Sequence, residues 1–179
     1  MTSADVPGAG RTPIRFAPLT TRALDGTRRR LPSELPGERT LVLLAYRQRH
    51  QRDVDAWIAL AVAHGVPPTP RGATGSLATA VVEVPFLSAR WLPARRLIDG
   101  GMARGIADGD VLARTLTAYG APARHRRACG LDGPDGADGR EVEALVVDRS
   151  GRVHWRASGP PAAGALPPML TALGLGGGA

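Results

Sequence analysis

The hydrophobic pattern of this chain is clearest between residues 40 and 64. Thr40 to Tyr46 (TLVLLAY) is a continuous apolar run of strand length, which is typical of a central strand covered on both faces. A polar loop, Arg47 to Arg52, follows it directly. Apolar residues then recur at i, i+3, i+4, i+7 and i+8 and predict an amphipathic helix that ends at His64-Gly65: they are Val54, Trp57, Ile58, Ala61 and Val62.

A second clear element lies near the end of the chain. Val142 to Val147 and Arg152 to Ser158 are predicted to be strands. Between them, Asp148-Arg149-Ser150-Gly151 has Asp at its first position and Gly at its fourth, which are the preferences of a type I turn. The segment therefore predicts an antiparallel hairpin.

Weaker signals predict the remaining elements. They are a hairpin at 21–31 with Asp25-Gly26 as its turn, a strand at 77–85, a helix at 92–104, a strand within 112–119, a short helix at 122–129, and a last helix at 162–173 that Pro167-Pro168 interrupts.

These elements alternate between strand and helix, which predicts an α/β fold with helices on both faces of one sheet. The strand–helix–strand unit at 40–84 predicts a parallel pair joined by a right-handed crossover. A length of 179 residues fits one domain, here 13–173, between a flexible arm at 1–12 and a flexible tail at 174–179.

Two segments resemble a known superfamily. TLVLLAY with its polar loop and helix is similar to the first strand and active-site helix of thioredoxin-like and peroxiredoxin-like proteins, and VEALVVDRSGRVHWRASG is similar to their closing hairpin. The resemblance implies a three-layer sandwich with a mixed central sheet. Val153-His154-Trp155-Arg156 and Gly159 also resemble the mitochondrial ATP synthase assembly-factor family, whose members generally lack the redox motif.

The chain departs from this superfamily where its chemistry is carried. In thioredoxin the reactive cysteine pair begins the helix after the first strand, where the helix dipole lowers a thiol's pKa. The equivalent stretch here, Arg47 to Asp53, has no cysteine, and the peroxiredoxin pattern Pro-x-x-x-Thr-x-x-Cys is absent. The proline that precedes the hairpin in thioredoxins has no counterpart at 142–144. Dithiol chemistry within this chain is therefore excluded.

The net charge of +7 changes this picture little. All 23 basic residues are arginines, and they are scattered along the sequence rather than gathered in one stripe, so specific nucleic-acid binding is not predicted. The longest apolar stretch, 56–63, is too short to span a bilayer, and no signal sequence is visible, so a cytoplasmic location is expected.

The polar loop is the main candidate site. Arg47, Arg49, His50 and Arg52 cluster just before a helix N-terminus, a position that favours anions. A phosphate, a carboxylate or an acidic partner peptide would fit there. The alternative is a solvated basic loop, and the loop lacks the glycines that cradle a phosphate.

The single cysteine, Cys129, is a candidate reactive thiol because His125 and two arginines are close in sequence, although a free cysteine is usually a small buried hydrophobe. His125 and Cys129 have no third ligand, and the spacing of Asp132, Asp135 and Asp138 does not fit a calcium loop, so no metal and no cofactor are expected. The three tryptophans are predicted to be core anchors.

Three hypotheses follow. The first is a redox-inactive thioredoxin-like domain that binds a protein or peptide over Arg47 to Asp53, as an assembly or accessory factor. The second is a thiol-dependent peroxidase or oxidoreductase that uses Cys129. The third is an anion or nucleotide binder that uses the arginine loop. The oligomeric state stays open.

Overall fold

The protein is built on one seven-stranded sheet with the strand order β2-β1-β5-β4-β3-β6-β7. The computed structural model describes residues 14–67, 77–131 and 139–176, except for the side chains of Arg95 and Arg96. The strands are β1 (Leu19–Ala23), β2 (Arg28–Leu31), β3 (Gly37–Ala45), β4 (Leu77–Ser88), β5 (Leu116–Gly120), β6 (Glu143–Asp148) and β7 (Val153–Ser158).

The described residues form five α-helices in addition to this sheet. They are α1 (Gln51–Ala63), α2 (Arg95–Arg104), α3 (Gly109–Arg114), α4 (Pro122–Ala128) and α5 (Leu166–Leu173). Short 3-10 turns at Gln48–His50, Ala89–Ala94 and Ala163–Ala165 lead into α1, α2 and α5.

The mixed pairing predicted from the sequence is confirmed. β3 is parallel to β4, with Leu41 opposite Val81, and β4 is parallel to β5. The closing hairpin of β6 and β7 is antiparallel, and β6 also runs antiparallel to β3. The three parallel strands therefore end at one edge of the sheet, and β6 begins at that same edge.

Two hydrophobic cores lie on opposite faces of the sheet, which confirms the three layers. In one core, α1 and α5 pack against the sheet around Trp57 and Trp155. The rings of these two tryptophans are arranged edge to face, with their centroids 5.7 Å apart. The other lies under α4 and includes Phe16, Leu35 and Cys129. β3 is covered on both sides, since Leu41 to Leu44 are fully buried. This explains why its sequence is continuously apolar.

Several elements differ from the sequence prediction. α5 begins at Leu166, so Pro167 and Pro168 lie in its first turn, where the missing N–H groups cost no helical hydrogen bond. Residues 112–119 divide between α3 and β5 rather than forming one strand. Trp91 is 46% exposed, so the prediction that it anchors the core is wrong, whereas Trp57 and Trp155 are buried as expected.

Some predictions fall outside the described residues. The N-terminal arm at 1–12 and the three aspartates of the acidic loop at 132–138 belong to these segments. The predicted tail is described only as far as residue 176, and Gly174 and Leu175 cap α5 there, with Leu175 N–H donating to the Leu170 carbonyl at 2.8 Å. No helix in the described part of the chain combines the length and the apolar character that a bilayer crossing needs.

Candidate functional site

The candidate site lies at the edge where β3, β4 and β5 end. In open α/β sheets this is the edge at which ligands usually bind. The chain leaves β3 at Tyr46, passes through Arg47 in an extended conformation, makes the 3-10 turn and then enters α1. The predicted loop Arg47 to Arg52 is thus the junction between a buried strand and a helix N-terminus.

Three arginines of the junction lie on the surface, as expected for a binding loop. Arg47, Arg49 and Arg52 are exposed. Arg49 Nη2 donates to the backbone carbonyl of Arg140 at 3.3 Å, which ties the junction to the segment that enters β6. The guanidinium groups of Arg47 and Arg52 have no hydrogen bond or ion pair with another described residue.

His50 differs from the prediction that it is a surface ligand. It is only 2% exposed, and both ring nitrogens are used. The Tyr46 N–H donates to Nδ1 at 3.2 Å, so Nε2 carries the proton and donates to the Arg140 carbonyl at 2.9 Å. Burial lowers its pKa, and this outweighs the hydrogen bond to Arg140 that favours the charged form. His50 is therefore a neutral, buried side chain whose two hydrogen bonds fix the junction to the end of β3 and to the segment before β6.

A buried ion pair lies behind the junction on the α4 side of the sheet. Arg126 Nη1 donates to Glu143 Oε1 at 3.0 Å, and their side chains are 3% and 2% exposed. Ser158 donates to the other carboxylate oxygen at 2.8 Å, and the Arg126 guanidinium lies 5.3 Å from the centre of the Tyr46 ring. Burial raises the pKa of Glu143, against hydrogen bonds from Ser158 and Arg126.

A second buried carboxylate lies on the other face of the sheet. Glu83 in β4 is 5% exposed, accepts a short hydrogen bond from the Thr115 hydroxyl, and lies 3.4 Å from Gln51 Nε2 at the start of α1. Sequence reasoning missed Glu83 and Glu143, and it considered Arg126 only as a possible activator of the Cys129 thiol, whereas the structure pairs it with Glu143. The signal was present for Glu83, the one acidic residue of the apolar segment 77–88, and for Glu143, which directly precedes the apolar run Ala144 to Val147.

Cys129 is placed differently from a reactive thiol. It is 1% exposed, and its sulfur accepts a hydrogen bond from the Ala17 N–H at 3.2 Å. Both ring nitrogens of His125 lie 3.8 Å from the sulfur, but burial lowers the pKa of this histidine. Burial raises the pKa of Cys129 to about 11, despite the Ala17 N–H and the charge of Arg126. The thiol is thus protonated and shielded from solvent at neutral pH.

Within the described residues, no three His, Cys, Asp or Glu side chains gather closely enough to hold a metal ion.

Comparison with solved structures identifies the architecture. BsSco, a member of the Sco family of cytochrome c oxidase assembly proteins, matches at 12% identity over 92% of this chain and 95% of its own, with a TM-score of 0.52. The fold is thioredoxin-like. A further match is AhpC of Mycobacterium tuberculosis, with 13% identity over 92% of this chain and 93% of its own and a TM-score of 0.48. Another is a thio-disulfide isomerase of Thermus thermophilus, with 12% identity over 92% of this chain and 98% of its own and a TM-score of 0.47.

Comparisons at the level of sequence find no relative. No protein-family model matches the chain, and no curated protein matches it. The resemblance to the mitochondrial ATP synthase assembly factors gains no support from these comparisons. At such low identity the structural likeness shows the fold alone, and a thioredoxin-like fold hosts many activities.

Proposed function

We propose that this chain is a redox-inactive thioredoxin-like domain that binds a protein or peptide partner over the junction Arg47 to Asp53. The observation that carries the proposal is the composition of the junction. Exposed arginines stand where the resemblance to thioredoxin implies a reactive cysteine pair, and the one thiol of the chain is buried elsewhere. A single cysteine cannot form an intrachain disulfide, so the junction cannot carry out dithiol exchange within one chain. Binding of a partner is therefore the role that we propose for it.

The rigidity of the junction supports a binding role. His50 fixes the loop to both the end of β3 and the segment before β6, and Arg49 adds a second link to Arg140. A preorganised loop loses little conformational entropy when a partner docks. Arg47 and Arg52 can therefore offer charge-assisted hydrogen bonds to carboxylates without first ordering the backbone.

The role of assembly or accessory factor is part of the same proposal. BsSco belongs to a family of cytochrome c oxidase assembly proteins, so at least one protein with this fold belongs to a family of assembly factors. That likeness transfers no partner to this chain.

The alternative of a thiol enzyme based on Cys129 is disfavoured by the burial of the sulfur and its raised pKa. A phosphate or nucleotide site at the junction lacks the glycines that allow close backbone approach. Inorganic phosphate or nucleotides would stabilise the fold against heat if this third hypothesis held.

The test compares captured proteins between matched variants. The triple replacement Arg47→Ala, Arg49→Ala and Arg52→Ala is used as bait in a native-host extract beside the wild type and a control with Arg22→Ala, Arg28→Ala and Arg30→Ala on β1 and β2. Both triples lower the net charge equally, but the control residues lie on the outer strands. A partner retained by the control and lost by the junction variant supports the proposal. Retention of every partner by the junction variant refutes it.

A further inference from the structure

We propose that the partner segment is acidic and carries apolar side chains, because the arginine junction lies at the same end of the sheet as an exposed apolar surface formed by Trp91, Leu92 and Leu97. This inference rests on the proposed function and specifies its partner class. The apolar residues lie in the 3-10 turn after β4 and in the first turn of α2.

Sheet topology brings the two surfaces to the same edge. β3 and β4 are parallel neighbours, with Ala45 opposite Pro85, and neighbouring strands lie about 4.8 Å apart. β4 continues to Ser88, three residues or about 10 Å beyond that pair, before the 3-10 turn begins. The junction after β3 and the turn after β4 therefore follow neighbouring strands at the same end of the sheet, with the turn about 10 Å further along the strand direction.

The two connections also lie on the same face. The strand order β3-β4-β5 steps in one direction, so both right-handed crossovers cover one side of the sheet. Glu83 confirms this directly. One of its carboxylate oxygens is bonded by Thr115 at the end of the second connection, and the other lies 3.4 Å from Gln51 at the start of α1.

The apolar surface is unusual for this protein. Five large hydrophobic side chains are exposed among the described residues, and three of them lie within seven positions: Trp91 at 46%, Leu92 at 41% and Leu97 at 70%. The 3-10 turn that holds Trp91 and Leu92 buries none of its residues. Clustered rather than scattered exposure marks an interaction surface.

Charge favours an acidic partner over a neutral one. Arg47, Arg49 and Arg52 are exposed on the connection that follows the neighbouring strand β3, and the guanidinium of Arg90 lies 5.4 Å from the centre of the Trp91 ring. The opposing charges on these elements are Asp53 and the exposed Asp55 on α1 and Asp99 on α2; Asp55 accepts from Gln51 Nε2 at 2.9 Å and Asp99 accepts from the Tyr119 hydroxyl at 2.7 Å. Four arginines against three aspartates leave a net positive charge beside an aromatic side chain, the arrangement that complements carboxylates flanking an apolar side chain.

The experiment uses synthetic fluorescent 12-residue peptides on the full chain. One peptide alternates Glu with Leu, a second replaces every Glu by Gln, and a third replaces every Leu by Ser. Anisotropy gives their dissociation constants. Iodide quenching of intrinsic fluorescence reports Trp91 selectively, because Trp57 and Trp155 are 0% and 3% exposed.

We expect the Glu/Leu peptide to bind at least tenfold more tightly than either other peptide and to protect Trp91 from quenching. Trp91→Ser and the pair Arg47→Gln with Arg52→Gln should each weaken binding about tenfold, close to 1.4 kcal/mol. The matched controls are Val62→Ser, at the far end of α1, and Arg15→Gln with Arg152→Gln, two exposed arginines beside the β6–β7 turn at the opposite end of the sheet, and they should bind like the wild type.

The binding results can contradict the proposed function and this inference separately. If the junction pair weakens binding but Trp91→Ser does not, the proposed function stands and this inference is overturned. If neither variant weakens binding, both are overturned. If vesicles of anionic phospholipid protect Trp91 and the Glu/Leu peptide does not, the surface binds membranes and the acidic-peptide inference is overturned.

Discussion

Replacement of His50 by alanine is the sharpest test of how the junction is built. The imidazole accepts from the Tyr46 N–H and donates to the Arg140 carbonyl while only 2% exposed. The Tyr46 N–H loses its acceptor, whereas the Arg140 carbonyl keeps the hydrogen bond from Arg49, so one buried polar group is left without a partner. Such a group costs about 1–3 kcal/mol, and His50→Ala should lower the free energy of unfolding by about that amount. That is a large share of the roughly 5–15 kcal/mol typical of a domain.

His50 should also make the free energy of unfolding depend on pH. A histidine in the unfolded chain takes up a proton near pH 6.5, whereas the pKa of His50 in the folded protein is lowered. The unfolded state therefore binds more protons below about pH 6.5, and folding stability must fall as the pH is lowered through that region. His125, whose pKa burial also lowers, adds to the slope. His50→Ala should remove its own part of this slope and leave that of His125.

Urea unfolding followed by circular dichroism, at several pH values between 5 and 8, measures both effects. Gln48→Ala at the exposed neighbouring position is the control and should change stability by no more than about 0.5 kcal/mol. Two results would refute this role of His50 as a neutral, buried hydrogen-bonding residue. One is a loss of unfolding free energy in His50→Ala no larger than that in the control, and the other is an unchanged dependence of stability on pH.

Three further predictions concern the buried groups. Glu143→Gln should destabilise the fold by about 3–5 kcal/mol because the Arg126 cation stays buried, and adding Arg126→Met should restore most of the loss; additive losses in urea unfolding would contradict the pairing. Alkylation of Cys129 at pH 8, followed by mass spectrometry, should run roughly 100-fold slower in the folded than in the unfolded chain, and a difference below tenfold would contradict the burial of the thiol. Burial opposes ionisation of Asp148, but hydrogen bonds from Ser150, His154 and the backbone outweigh it and lower its pKa to about 2. Its stabilisation is therefore present above about pH 4 and lost between pH 4 and 2, and Asp148→Asn should abolish this loss, at a cost of about 1 kcal/mol at pH 7 in thermal unfolding.

The candidate site was only partly readable from the sequence. The basic loop before α1 is contiguous in the chain, so its arginines were found by position alone. His50 looked like one more cation of that loop, and only its contact with Arg140, ninety residues away, shows that it is buried and neutral. Trp91 looked like a core residue, because a sequence cannot show which face of a short 3-10 turn stays uncovered.

Elements whose signals are local can be predicted from the amino-acid sequence alone. The apolar run of β3, the periodic stripe of α1 and the turn between β6 and β7 follow from hydrophobic spacing and turn chemistry within a few residues. The absence of a cysteine pair is likewise a property of the sequence. Features that depend on residues far apart come from the tertiary structure: the pairing of Arg126 with Glu143, the burial of Cys129, and the parallel pairing of β3 and β4, which brings the connections after both strands to one end of the sheet. These arise because parallel strands bring distant segments to one sheet edge, and burial is a property of that assembly rather than of any one segment.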